Sequence, residues 1–136
     1  MQQINHLTIE WRHLLVRGGT CDRCAGTYAN ILEAITTLER SGELAGPEVE
    51  IIDTPLAKDR IGESNMVLIN DVSLEQLVGA GVDYTGCSSC GDLIGDTTCC
   101  RAVTSRGTTE ETLPVAMIRD AILAALNRHN QTDQRK

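Results

Sequence analysis

Residues 8–24 have the sequence TIEWRHLLVRGGTCDRC, and this stretch decides the fold. Polar and apolar side chains alternate from Thr8 to Val16, which is the pattern of a strand. Two glycines interrupt the alternation. From about Ala25 to Arg40 apolar residues then recur at three- and four-residue steps, which predicts a helix that packs on a sheet. The pair Cys21 and Cys24 therefore lies at a strand-to-helix turn.

This C-x-x-C pair is the first candidate site. The unpaired N–H groups and the positive dipole end at a helix N-terminus stabilise a thiolate, so Cys21 is expected to ionise more readily than an ordinary cysteine. Arg23 would favour the thiolate and Asp22 would oppose it. The context favours redox chemistry, with Cys21 as the attacking thiolate and Cys24 as the resolving thiol. Two alternatives remain open, because the pair can also hold a metal or stay reduced and inert.

The rest of the chain predicts a β-α-β unit followed by further strands and helices. A second strand at residues 48–52 is expected to run parallel to the first, since a helix connects them. Residues 54–64 have no clear period and are expected to form a loop or an irregular helix. The remaining predicted elements are a strand at Met66–Ile69, a short helix opened by Ser73 and Gln76 and ended by Gly79, a strand at Arg101–Thr104 with a hairpin turn at Arg106-Gly107, and a helix that begins near Pro114.

The length and composition fit a small single domain. We predict one domain over residues 1–127, with a cysteine-rich loop at 81–100 and a disordered polar tail at 128–136. One Trp, two Tyr and no Phe mean that the core must be aliphatic. The formal charge of −7 and the scattered basic residues argue against a nucleic-acid partner. No apolar run is long enough to cross a bilayer and no signal-like segment opens the chain, so we expect a cytoplasmic protein with no membrane partner.

A second group of cysteines has the spacing C-x2-C-x8-C-C and comprises Cys87, Cys90, Cys99 and Cys100. In a cytoplasmic chain, clustered cysteines indicate metal binding or catalysis before a structural disulfide. Four thiolates can complete a tetrahedral zinc site, or capture a softer ion such as mercury or arsenite. Zinc or another thiophilic metal is the one cofactor that we predict. Alternatively, Cys100 begins the last strand merely as a small buried residue.

Cys99 and Cys100 are adjacent in the sequence, and this affects the bonds they can form. Neighbouring Cα atoms are about 3.8 Å apart, less than the roughly 4.4–6.8 Å usual in a disulfide, so a bridge between Cys99 and Cys100 would be strained.

His13 alternates with apolar strand residues, and we interpret it as a packed core histidine rather than a ligand.

The order of these elements resembles the thioredoxin and glutaredoxin superfamily. The segment Glu63–Ala80 is similar to the part of that superfamily that carries its third strand, a turn and a short helix. The resemblance implies an α/β fold: a thioredoxin-like three-layer sandwich, whose central mixed sheet of about four strands is flanked by helices. It also implies a thiol-disulfide oxidoreductase that acts on a protein or small-molecule disulfide or thiol.

One position departs from the superfamily, which usually has a cis-proline just before the third strand, facing the active-site cysteines. Here Ser64-Asn65 occupies that place. In the superfamily the proline helps to hold a polypeptide and to keep metals off the cysteines. Its absence favours a metal-tolerant or specialised site.

A narrower resemblance links the chain to an uncharacterised family of short cysteine-rich thioredoxin-like proteins. Its marks here are Trp11, the Cys21/Cys24 pair, a strand that ends at Asn70, and a C-x-x-C-G motif followed by a cysteine and Arg101. This resemblance implies a fold and no activity. In a thioredoxin fold the cysteine-rich loop would lie on the same side of the sheet as the first strand-to-helix turn. The two cysteine groups are therefore expected to exchange disulfides or share a metal.

Overall fold

The computed structural model describes residues 6–16, 18–20, 22–86 and 99–134, and the backbone alone at residues 22, 58, 99–100 and 128–134. Its elements, in chain order, are β1 (His6–Leu14), α1 (Asp22–Ser41), β2 (Glu48–Leu56), a 3₁₀ helix (Lys58–Glu63), β3 (Met66–Ile69), β4 (Val72–Ser73), α2 (Leu74–Val78), β5 (Gly81–Gly86), β6 (Cys99–Ser105), β7 (Thr108–Glu110) and α3 (Val115–Gln134).

The larger sheet has four strands in the order β2-β1-β3-β4. Strand β1 runs parallel to β2, with Ile9 opposite Ile51, and antiparallel to β3, with Ile9 also opposite Ile69. The parallel pair follows from α1, which returns the chain to the same end of the sheet before β2 begins. The predicted α/β class and the mixed four-stranded sheet with flanking helices are confirmed.

The core is aliphatic, as the composition requires. Alternate residues of β1, among them Leu7 and Ile9, are fully buried on one face. Helices α1 and α3 pack against each other over that face. Their fully buried residues include Ile31, Leu38, Ile118 and Ile122. Each such side chain contributes about 1.5–3 kcal/mol of transfer free energy, so this face holds most of the fold together.

A smaller antiparallel sheet has the order β5-β6-β7. The hairpin turn at Arg106-Gly107 is confirmed, and both residues have positive φ, at 53° and 81°, as a two-residue turn between twisted strands requires. Strands β5 and β6 pair from Gly81 opposite Thr104 to Gly86 opposite Cys99. Strand residues thus stand at both ends of the segment that was predicted to be a loop. Residues 81–86 show little alternation of apolar and polar side chains. Their strand conformation therefore depends on pairing with β6 rather than on a pattern in their own sequence.

Some predicted boundaries differ from the structure and others agree with it. Strand β2 continues to Leu56 instead of ending at Ile52, and the 3₁₀ helix follows within the segment predicted to be irregular. Helix α2 starts where Ser73 Oγ accepts the N–H of Gln76 and ends at left-handed Gly79, as predicted. The backbone of α3 extends to Gln134, and the disorder of 128–136 stays a prediction. None of the helices among the described residues has the length and apolarity to cross a bilayer.

Candidate functional site

Cys24 lies in the first turn of α1 and is completely buried. Its carbonyl oxygen accepts a hydrogen bond from Trp11 Nε1 at 3.1 Å, which joins β1 to the start of the helix. Cys21, the other half of the motif, lies outside the described residues. The structure therefore places Cys24 inside the protein, at the helix N-terminus that the sequence predicts.

Three rings form a column beside Cys24. The rings of Trp11 and His13 are stacked, with centroids 3.8 Å apart and planes 8° apart, and Tyr28 of α1 tilts against Trp11 at 4.6 Å. We call Tyr28, Trp11 and His13 the aromatic column. His13 is only 4% exposed, so its placement as a packed residue is confirmed.

Both ring nitrogens of His13 have a partner. Nε2 lies 2.5 Å from Oδ1 of Asp53, and Nδ1 lies 3.3 Å from Oγ1 of Thr20. Neither Asp53 nor Thr20 was a candidate residue from the sequence. The contact with Asp53 depends on the register of β1 and β2, which pairs Ile9 with Ile51 and sets Trp11 opposite Asp53. The buried imidazole thus connects a carboxylate of β2 with a hydroxyl that directly precedes Cys21 in the sequence.

Arg23, inside the C-x-x-C motif, is buried at 6% exposure. Its Nη1 donates to Thr85 Oγ1 at 2.9 Å and to the carbonyl oxygen of Arg101 at 3.2 Å, and its Nη2 donates to the carbonyl oxygen of Gly86 at 3.1 Å. Glu111 Oε1 lies 3.5 Å from the same Nη2. The Arg23 guanidinium, which the sequence predicted would favour a thiolate, therefore connects α1 to the smaller sheet.

The contacts of Arg23 fall on the residues directly before and after the second group of cysteines. Gly86 precedes Cys87 and Arg101 follows Cys100, so one side chain of the C-x-x-C motif contacts both flanks. Cys87 and Cys90 lie outside the described residues, and Cys99 and Cys100 are described by backbone only. In the part of the chain that the structure describes, no three His, Cys, Asp or Glu side chains could hold a metal together. The four-cysteine site stays a prediction.

Asn65 lies directly before β3, at the position where the predicted resemblance would set a proline. It is 1% exposed with a φ of 60°, and its Oδ1 accepts from Thr27 Oγ1 of α1 at 2.6 Å. Its Nδ2 donates to the carbonyl oxygens of Glu111, at 2.6 Å, and Arg101, at 3.3 Å. Asparagine tolerates a left-handed backbone better than most residues do. Asn65 therefore links α1, the entry to β3 and strand β6.

A buried ion pair joins β6 to α2. Arg101 Nη2 lies 2.5 Å from Glu75 Oε2 of α2, and the two side chains are 5% and 12% exposed. Among the described residues, none is a hydrogen-bond partner of Arg101 Nε, Arg101 Nη1 or Glu75 Oε1. Such a pair makes each charge dependent on the other, since either one alone would be buried and uncompensated.

Comparison with known proteins gives a family and no activity. Residues 7–122 match the family model described as a domain of unknown function, DUF2703. An uncharacterized protein of Archaeoglobus fulgidus is 39% identical over 98 residues, which cover 68% of this chain and 69% of that protein. No solved structure matches the chain.

Proposed function

The chain belongs to the DUF2703 family, and from its site we propose that it is a thioredoxin-like thiol-disulfide oxidoreductase. In this proposal Cys21 is the attacking thiolate and Cys24 resolves the mixed disulfide. The observation that carries it is the position of Cys24, buried in the first turn of α1 directly after β1. A helix N-terminus favours a thiolate at the outer cysteine and leaves the inner one against the protein.

The topology supports the thioredoxin-like part of the proposal. A β-α-β unit with parallel strands is followed by an antiparallel pair and a helix, and the sheet order β2-β1-β3-β4 puts β1 in the middle. The residues in place of the superfamily's proline, Ser64 and Asn65, are both buried and Asn65 contacts α1. The position therefore faces the motif helix even though its residues differ.

The reaction is a two-electron exchange between the dithiol and a protein or small-molecule disulfide. The Cys21 thiolate attacks one sulfur of the substrate, forms a mixed disulfide and releases a thiolate, which takes up a proton. Cys24 then loses its proton and attacks the sulfur of Cys21. This step releases the second thiol and leaves a Cys21–Cys24 disulfide, which an external dithiol reduces. Such chemistry suits the cytoplasm, where reductants keep cysteines reduced.

A second function, binding of a thiophilic ion, is favoured by the contacts of Arg23. Because Arg23 holds Gly86 and the carbonyl of Arg101, the flanks of the cysteine-rich segment are fixed beside the C-x-x-C motif. The predicted ligands are Cys87, Cys90, Cys99 and Cys100. Zinc, mercury and arsenite all suit a thiolate set.

One pair of variants separates the two functions. Under the oxidoreductase proposal, Cys21→Ser reduces the rate of small-molecule disulfide reduction to background, because serine supplies no thiolate. The measurement is a reductase assay alongside a native mass spectrum of protein purified without oxygen or chelator.

Cys90→Ser is the matched control, because it removes one cysteine from the other group. It is expected to keep the reductase activity and to lose any bound metal. Full reductase activity in Cys21→Ser would refute the enzyme, and in that case a metal adduct lost only in Cys90→Ser would make ion binding the primary function.

A further inference from the structure

We propose that the outer edge of β2 binds an extended polypeptide in which basic and apolar residues alternate, and adds it to the larger sheet as a further strand. Strand β2 stands at the end of that sheet, and among the described strands its partner is β1 alone. An edge strand presents unpaired N–H and C=O groups to which another strand can bind. The inference involves neither group of cysteines and goes beyond the proposed oxidoreductase.

The register of β1 and β2 determines which backbone groups face the open edge. The N–H of Leu15 donates to the carbonyl oxygen of Leu56 at 2.9 Å, so Leu56 directs its backbone groups toward β1. Successive residues of a strand direct these groups to opposite sides. The outward set therefore consists of Val49, Ile51, Asp53 and Pro55. Its first three members offer N–H groups about 6.6 Å apart, the spacing of alternate strand residues.

Two prolines limit the length of this edge. Pro47 directly precedes β2, and Pro55 is its penultimate residue. Proline has no N–H group to donate, so a ladder of hydrogen bonds along the outer edge cannot continue through Pro55. The edge that remains open to a partner strand is residues 48–54.

The two faces of this edge differ in chemistry. Val49 and Ile51 are half-buried and pack against the hydrophobic core on the face that the helices cover. Glu48, Glu50 and Ile52 are exposed on the opposite face. Side chains of an added strand would lie beside these residues in the same alternation. Its residues on the helix-covered face should therefore be apolar, and those on the opposite face should be basic.

The charge of the edge favours a basic partner over a second copy of this chain. Glu48, Glu50 and Asp53 are acidic, and among the described residues their ion-pair partners are two histidines, His6 for Glu50 and His13 for Asp53. A second copy paired through β2 would bring its own three carboxylates to the same ladder, and each chain has a formal charge of −7. Acidic side chains on an edge deter strands of like charge, whereas they attract and align basic ones.

The test measures binding of a fluorescein-labelled peptide of seven alternating lysine and valine residues by fluorescence anisotropy. A peptide with glutamate in place of lysine is the control ligand. Ile51→Pro removes the central outward N–H group and leaves the hydrogen bonds to β1 in place. Glu48→Lys/Glu50→Lys reverses the charge of the edge. Its matched control is Glu33→Lys/Glu39→Lys, which makes the same change in net charge at exposed positions of α1.

The wild type is expected to bind the lysine peptide and not the glutamate peptide. Ile51→Pro should raise the Kd by about tenfold, since a carbonyl of the peptide loses its donor. Glu48→Lys/Glu50→Lys should lose the lysine peptide and bind the glutamate peptide instead. Glu33→Lys/Glu39→Lys should bind the lysine peptide as the wild type does.

Hydrogen exchange of the wild type, followed by NMR, locates the bound peptide. At a free concentration ten times its Kd, the lysine peptide should slow exchange of the Val49, Ile51 and Asp53 amides by about tenfold. Exchange in β6 should stay unchanged, because that strand belongs to the other sheet.

Three results would overturn the proposal. One is an equal loss of binding in both charge-reversal variants, which indicates attraction by net charge alone. Another is binding of the lysine peptide without slower exchange at the three amides. The third is a wild-type dimer in sedimentation that Ile51→Pro dissociates, because β2 would then bind a second copy. If circular dichroism shows that Ile51→Pro is unfolded, the charge-reversal variants and hydrogen exchange decide. The outcome of the reductase assay does not affect these results.

Discussion

The two sheets are attached to the molecule by different kinds of contact. The four-stranded sheet presents Leu7, Ile9 and their neighbours to two helices in a continuous aliphatic layer. The three-stranded sheet contributes Ala102 and Val103 to the buried set, but it is also tied by two buried arginines, Arg23 and Arg101. Apolar packing is non-directional, whereas a buried charge needs particular partner atoms. The placement of the strand that carries Cys99 and Cys100 therefore depends on a few polar contacts.

The largest effect is expected where the small sheet meets α2. Arg101→Leu leaves the carboxylate of Glu75 buried at 12% exposure without its cation, which should lower the free energy of unfolding by about 3–5 kcal/mol. Urea denaturation measures the loss. The exposed Arg106 of the hairpin is the matched control, and Arg106→Gln should change the stability by less than about 0.5 kcal/mol.

The double variant Arg101→Leu/Glu75→Leu sharpens this test. With both charges removed, most of the lost stability should return, since a buried pair and an apolar pair of similar size are often close in stability. A double variant as unstable as the single one would mean that the ion pair is not what attaches the sheet.

An intermediate effect is expected at the contact between α1 and the small sheet. Arg23→Gln loses the charged donor to Thr85, Gly86 and Arg101, which should lower the opening free energy of β5 and β6 by about 2 kcal/mol. Hydrogen exchange should then quicken in β5 and β6 and stay unchanged in β1 and β2. Arg40→Gln, at the exposed end of the same helix, should alter neither sheet. Equal acceleration in both sheets would remove the contrast between them.

The smallest effect is expected on the outer face of the larger sheet. Burial raises the pKa of Glu10, but hydrogen bonds from Arg12 and Thr54 outweigh it and hold the pKa below its ordinary value. A lowered folded-state pKa stabilises the protein above the ordinary pKa of glutamate, and this contribution disappears as the pH falls through the folded-state value. Near pH 7 Glu10→Gln should therefore cost less than about 1 kcal/mol.

Urea denaturation of this variant between neutral and acidic pH checks the sign. Wild type and Glu10→Gln should converge as the pH falls below about 4, because the glutamic acid is then protonated as well. Glu39→Gln, on the exposed face of α1, is the control and should follow the wild type throughout. If the difference in unfolding free energy between wild type and Glu10→Gln instead grew in acid, the pKa of Glu10 would not be lowered in the folded protein.

The sequence predicted β1, β2 and β3 of the larger sheet because their patterns are local, whereas the two-residue strand β4 was not predicted. Alternation in β1, helical periodicity in α1 and the cap at Ser73 each follow from neighbouring residues, and the structure confirms them. Strand β5 was missed because its residues are mostly exposed and its pairing depends on β6, which follows after a long interval. Pairing between distant segments leaves little trace in composition.

The sequence predicted several residues of the candidate site but not the contacts that these residues make with distant parts of the chain. The burial of Cys24 and His13 follows from their positions on a helix and a strand. Arg23 could not be assigned as a link to Gly86, 63 residues away along the chain, because a charged residue at a helix start is ordinarily solvated. The contact of His13 with Asp53 likewise needs the register of two strands, which the sequence alone leaves open.

Trp11 has a consequence for observing this protein in solution. It is the one tryptophan of the chain, it stacks on His13, and its indole nitrogen donates to the backbone of Cys24. All indole fluorescence therefore originates beside the cysteine motif. Rearrangement at Cys24 changes the surroundings of that single fluorophore, so the protein carries its own optical reporter and needs no attached dye.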